Sequence, residues 1–127
     1  MATLQDKQIS SEPHGGELID RVLRGDALEE ARGRVRSLKR IALNARMMSD
    51  LELLATGAYS PLQGFLGEAD YRAVLSHMRL ASGLPWPLPI TLAVRQADAD
   101  GLREGEDVAL VTPREEPLGI RYFGSQR

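Results

Sequence analysis

Between residues 50 and 94 the apolar positions follow a helical period twice and then switch to alternation, with a Gly- and Pro-punctuated loop between the two helical stretches. Leu51, Leu54, Ala55 and Ala58 recur at helical spacing. Ser49-Asp50-Leu51-Glu52 ahead of them reads as a capping box: the serine oxygen accepts from free first-turn amides and Glu52 reaches back to the cap amide. Gly57 tolerates the left-handed conformation of a helix end, so the helix is expected to stop near it. Residues 60–67 hold Pro61, Gly64 and Gly67 and predict a shaped turn with Phe65 and Leu66 tucked inward. A second helix follows, with Glu68 and Asp70 at its positive end and Tyr71, Val74, Leu75 and Met78 as one apolar stripe. Pro85, Pro87 and Pro89 exclude helix and central strand, after which Ile90, Leu92 and Val94 alternate with Thr91 and Ala93 and predict a strand.

Outside this unit the pattern is shorter. Residues 17–23 give a short helical patch, Gly25 interrupts it, and residues 27–32 resume helical composition. Residues 39–43, 108–111 and 118–120 read as strands, with the polar residues 112–117 as the connection between the last two. No internal repeat is present. Strands interleaved with short helices predict a mixed α+β unit. Its expected core is Leu51, Leu54, Tyr71, Val74, Leu75, Ile90, Leu92 and Val94.

Each residue with chemical potential carries a competing structural role. Pro13-His14-Gly15-Gly16 places glycine amides where they can converge on an anion, yet it lacks the spacing and the lysine of a P-loop, so a turn is expected. His77 has no second histidine at metal-ligand spacing and reads as a surface or packing residue. Trp86 offers a face for a base or adenine ring, but between two prolines it is expected to plug the edge of a core. Asp98, Asp100, Glu104, Glu106 and Asp107 lack the full calcium-loop pattern and read as a solvated connection. Arg32, Arg34, Arg36, Lys39, Arg40 and Arg46 form a basic stretch without interleaved aromatics, a weak nucleic-acid signal beside neighbouring acids such as Glu29 and Glu30.

Composition narrows the class without naming a function. The 127 residues, 43% hydrophobic and 27% charged with a formal charge of −2, suit one globular domain. The chain has no cysteine, which excludes disulfides, a thiol nucleophile and thiolate metal sites. No apolar run reaches membrane-span length and the first residues lack a basic start and an apolar core, so the aqueous cytoplasm is the default compartment.

Several motifs in collinear order resemble one family. Asp50-Leu51-Glu52-Leu53, Ala55-Thr56-Gly57-Ala58-Tyr59-Ser60-Pro61-Leu62, Gly64-Phe65-Leu66 and Pro87-Leu88-Pro89-Ile90-Thr91-Leu92, with Pro13-His14-Gly15-Gly16 upstream and Glu116-Pro117-Leu118-Gly119-Ile120 downstream, are similar to the amino-terminal domain of ATP sulfurylase (sulfate adenylyltransferase). The resemblance implies a PUA-like fold, a small β-barrel with flanking helices. It implies residues 1–12 as a mobile tail, 13–120 as the domain, and 121–127 as a tail that departs from the family pattern, which fits a truncated or frameshifted product, a fragment or a stand-alone copy alike.

The family makes adenosine 5′-phosphosulfate and pyrophosphate from ATP and sulfate, with magnesium on the nucleotide. Its catalytic domain carries a Gln-Thr-Arg-Asn-Pro segment and a His-x-x-His pair, and neither occurs here, where His14 and His77 are the only histidines. The expectation is therefore a structural and interface unit with no catalytic, cofactor-binding or metal-binding residue, partnered by the catalytic domain or other subunits. The alternative is a stand-alone RNA- or ligand-binding module on the same fold.

Overall fold

A computed structural model describes residues 11–123. Its elements run α1 (Gly25–Val35), β1 (Lys39–Ala42), α2 (Ala45–Thr56), α3 (Glu68–His77), α4 (Gln96–Asp100), β2 (Glu106–Val111) and β3 (Pro117–Phe123). The expected tail falls mostly on residues 1–10, outside the described residues, as do residues 124–127 of the expected divergent end. Arg121, Tyr122 and Phe123 continue β3, in register with Val108, Asp107 and Glu106.

The three strands form one sheet in the order β1-β2-β3, parallel between β1 and β2 and antiparallel between β2 and β3. The elements are α+β as expected; among the described residues they make an open three-stranded sheet. Alternation along a strand sends neighbours to opposite faces. Val108 and Leu110 of β2, with Ile41 of β1, join the main core on one face. Ala109 and Val111 meet Val35 of α1 on the other face, with Ile120 packed beside them. The unbroken apolar run 108–111 thus marks a strand covered on both sides.

Helix α2 starts earlier than the capping box predicts. Its N-cap is Asn44, in extended conformation, whose side chain accepts from the Met47 amide at 2.8 Å. Ser49 lies inside the helix. Ala45, Arg46, Met47 and Met48 are good helix formers, and Met47 is buried, so packing and propensity both extend the helix by a turn. Its end is where the sequence places it, at Gly57 with φ 90°. Residues 60–67 form the expected turn, with Phe65 and Leu66 buried.

Three further expectations are corrected. The α3 stripe is not a core face: Val74 is buried, but Tyr71, Leu75 and Met78 are 40%, 60% and 60% exposed, because the described chain lays no element over that side of the helix. Residues 90–94 form no strand. Ile90 is buried and its carbonyl accepts from the Leu66 amide at 2.8 Å, but the prolines just before it remove donors that a ladder needs. Of the expected core, Leu54, Val74 and Ile90 are buried, while Leu51, Leu92 and Val94 pack half-buried against the cluster.

The patch 17–23 forms no helix. The Asp20 side chain takes the Val22 amide at 3.0 Å, a local bond that competes with helix. That amide, and then Arg24, hold the Asp20 carboxyl below its ordinary pKa. The Ile19 amide donates to Ser60 Oγ and the Arg21 amide to the Ala55 carbonyl, each at 2.9 Å, so the segment is strapped along α2 and the following turn.

Candidate functional site

The residues weighed for chemistry take structural roles. Gly15 and Gly16, at φ 83° and 93°, close a turn in which the Gly16 amide donates to the Pro13 carbonyl at 2.8 Å. A side chain at Gly15 would begin 2.9 Å from Pro61 Cγ, so the turn seats on the 60–67 loop. His14 Nε2 donates to the Pro85 carbonyl at 2.7 Å, and its ring centre lies 5.9 Å from that of Trp86. Trp86 is 7% exposed and meets Tyr59 edge-on at 6.0 Å, which leaves no ring face for a base. Behind it the Tyr59 hydroxyl donates to Asp50 Oδ1 at 3.3 Å, and burial, then the Asp50 charge, raise the tyrosine pKa. Asp50 also pairs with Arg46 at 3.1 Å.

His77 ends α3 at the surface. Among the described residues no group of three or more His, Cys, Asp or Glu is placed to hold a metal ion. Asp98, Asp100, Glu106 and Asp107 instead meet bases and amides. Asp98 pairs with Arg95 at 3.0 Å, Asp107 with Arg34, and Glu106 with Lys39 at 3.1 Å. The Arg103 amide and then Lys39 hold Glu106 below the usual carboxylate pKa. Of the basic stretch, Arg34 and Lys39 are taken up by these contacts, and Arg32 pairs with Glu29, Arg40 with Glu115 and Arg46 with Asp50.

What the structure does bring together is a groove of about 1850 Å³ around β3. One wall is α1, through Leu28, Ala31 and Val35; the other is α2, through Leu51, Leu54 and Ala55, continued by the 61–67 loop. Residues 117–121 of β3 run between these walls. A side chain at Gly119 would make ordinary contact with Leu51 at 3.7 Å, so this strand face lies on α2. Arg121 sets its guanidinium 5.6 Å over the Phe65 ring, and burial lowers its pKa.

The sequence reading did not find this groove, because it depends on which faces of β3 the two helices overhang. Only the both-sided burial implied by the apolar run 108–111 hinted at a second covering helix.

A family model described as a PUA-like domain matches residues 11–122. The sulfate adenylyltransferase of Symbiobacterium thermophilum is 59% identical over 101 residues, 80% of this chain and 26% of that protein. The probable bifunctional SAT/APS kinase 2 of Sorangium cellulosum is 50% identical over 98 residues, 77% of this chain and 17% of that protein. A solved hexameric APS kinase from Thiobacillus denitrificans superposes with a TM-score of 0.77 at 38% identity, over 86% of this chain and 22% of that one. The chain thus spans about a quarter or less of the length of these relatives.

Proposed function

We infer the function of this chain from its family: it belongs to the PUA-like domain family, and it corresponds to the small amino-terminal part of sulfate adenylyltransferases. Its role is to support and contact the part of such an enzyme that adenylates sulfate, and it is catalytically silent by itself. The observation that carries this reading is identity of 59% confined to about a quarter of the relative's length. The reaction joining ATP and sulfate into adenosine 5′-phosphosulfate, with release of pyrophosphate, belongs to the remaining polypeptide.

The residues present support that division of labour. The Gln-Thr-Arg-Asn-Pro and His-x-x-His motifs of the catalytic part do not occur in the sequence, and His14 is committed to the Pro85 carbonyl. No ATP or magnesium site is proposed on this chain; Asp98, Glu106 and Asp107 pair with Arg95, Lys39 and Arg34, and the Gly16 amide of the 13–16 turn bonds the Pro13 carbonyl. The partner is the catalytic domain or other subunits of the assembled enzyme, and the compartment is the cytoplasm; among the described residues no helix is long and apolar enough to cross a membrane. Closure of the sheet into the barrel expected of a PUA-like fold takes place in the longer polypeptide.

The test is direct. Purified chain given ATP, magnesium and sulfate releases no pyrophosphate on this reading. Sulfate-dependent pyrophosphate release by the purified chain overturns it.

A further inference from the structure

We propose that the open face of α3 is a contact between two copies of this chain, their α3 helices paired antiparallel about a two-fold axis. This goes beyond the role proposed above and does not depend on it. Tyr71, Leu75 and Met78 stand at i, i+4 and i+7, the spacing of a single apolar seam along a helix. They are 40%, 60% and 60% exposed. The chain returns beside the end of this seam, since the Trp86 amide donates to the Met78 carbonyl at 2.8 Å and Pro85 bridges Arg79. Leu88, two residues further on, is 53% exposed and adds apolar surface there.

The charges select the occupant and its direction. Helix α3 carries Glu68 and Asp70 in its first turn and His77 in its last, with Arg79 just beyond. Arg79 donates to the Gly83 carbonyl at 3.0 Å and forms no ion pair among the described residues, while Asp70 spends only Oδ1 on the Ala81 amide. An antiparallel copy brings the acidic start of each helix to the basic end of the other, and the two-fold axis makes the match twice. With Tyr71 opposite the partner's Met78, a favourable sulfur–aromatic pair, the same register sets Asp70 opposite the partner's Arg79 and Leu75 close to the axis. Arg72 then faces the partner's His77, its charge already met by Glu68 at 2.7 Å. A parallel pairing would set like ends together.

Size sets the strength. The ten residues of α3 span about 15 Å, so the face falls well short of the roughly 800 Å² per partner of a standard interface. The pairing is therefore weak and reversible, with Kd on the order of 0.1–1 mM. An anionic lipid surface suits the face less well, because Glu68 and Asp70 border the seam where such a surface favours Lys and Arg.

The test is sedimentation equilibrium of the 127-residue chain, with amide NMR of the labelled chain over the same range, from roughly 10 μM to 1 mM, which brackets that Kd. The expected result is a monomer–dimer equilibrium whose concentration-dependent shifts centre on Tyr71, Leu75 and Met78. Leu75→Lys, at an exposed position that leaves the fold intact, weakens it about tenfold or more. Arg79→Glu, which sets like charges opposite each other, weakens it too, as does added salt in the parent chain. Leu118→Lys on β3 leaves it unchanged. A chain that stays monomeric at about 1 mM overturns the proposal, and so does association that Leu118→Lys removes while Leu75→Lys keeps. Association that Arg79→Glu leaves untouched overturns the antiparallel register. A monomeric chain whose α3 amides move only on phosphatidylserine vesicles overturns the second copy in favour of lipid. None of these failures touches the proposed function, whose own readout is pyrophosphate release.

Discussion

Gly57 abuts the backbone of Ile19: a Cβ built on the glycine would stand 2.7 Å from the Ile19 carbonyl oxygen and 2.7 Å from Leu18 Cδ1. Gly57 also has φ 90°, so two independent constraints meet where α2 ends and the 17–23 strap crosses it. The carbonyl belongs to the backbone and cannot rotate aside as a side chain can. Gly57→Val is predicted to destabilise by about 1–3 kcal/mol through the left-handed conformation alone, with displacement of the strap in addition. Urea unfolding measures it, and an unchanged midpoint contradicts the account.

The start of α2 yields a paired test. Asn44→Ala removes the side chain that accepts from the Met47 amide, at a cost of about 1 kcal/mol. Ser49→Ala, at an exposed position inside the helix, changes stability by less than about 0.5 kcal/mol. The reverse order would return the cap to Ser49.

Core and surface leucines are predicted to separate cleanly. Leu110→Ala removes a side chain 2% exposed between α2 and the sheet and costs about 2–5 kcal/mol. Leu75→Ala, on the open side of α3, costs under about 0.5 kcal/mol in the isolated chain. Equal losses in thermal unfolding would mean that α3 buries the face described here as exposed.

Acid sensitivity has a defined sign at Glu106. The Arg103 amide and Lys39 lower its pKa in the folded chain below the ordinary value of 4.5, so the unfolded state takes up the proton first as pH falls. The stabilisation is complete above about pH 4.5 and is lost as pH drops through the lowered folded value. Glu106→Gln is predicted to flatten the acid limb of stability against pH, and added salt to do the same in the parent chain because the pair is open to solvent. Parallel limbs in parent and variant would show that Glu106 contributes nothing there.

Much of this was legible from local chemistry. Gly57 as a helix end, Glu68 as a helix start, the strands around Ile41, Leu110 and Ile120, and the inward Phe65 and Leu66 follow from residues whose reasons lie within a few positions of themselves. Helix α2 began earlier because Asn44 out-competed Ser49, a choice settled by burial of Met47. Ile90 looked like strand because alternation reports half-burial but not a partner, and the bond from Leu66 is an isolated one. Tyr71, Leu75 and Met78 kept core spacing on a helix whose outer face the described chain leaves open. The groove was out of reach since it arises from long-range placement of α1 and α2 about β3.

The central claim is that this chain is the supporting unit of a larger sulfate-adenylating enzyme, and domain replacement tests it most directly. The matched 101-residue part of the Symbiobacterium thermophilum enzyme is exchanged for the corresponding residues of this chain, and sulfate-dependent pyrophosphate release is compared with the parent and with a deletion of that part. The account predicts that the exchange keeps activity and that the deletion loses folded, active enzyme. A deletion as active as the parent, or a folded exchange with no activity, would contradict it.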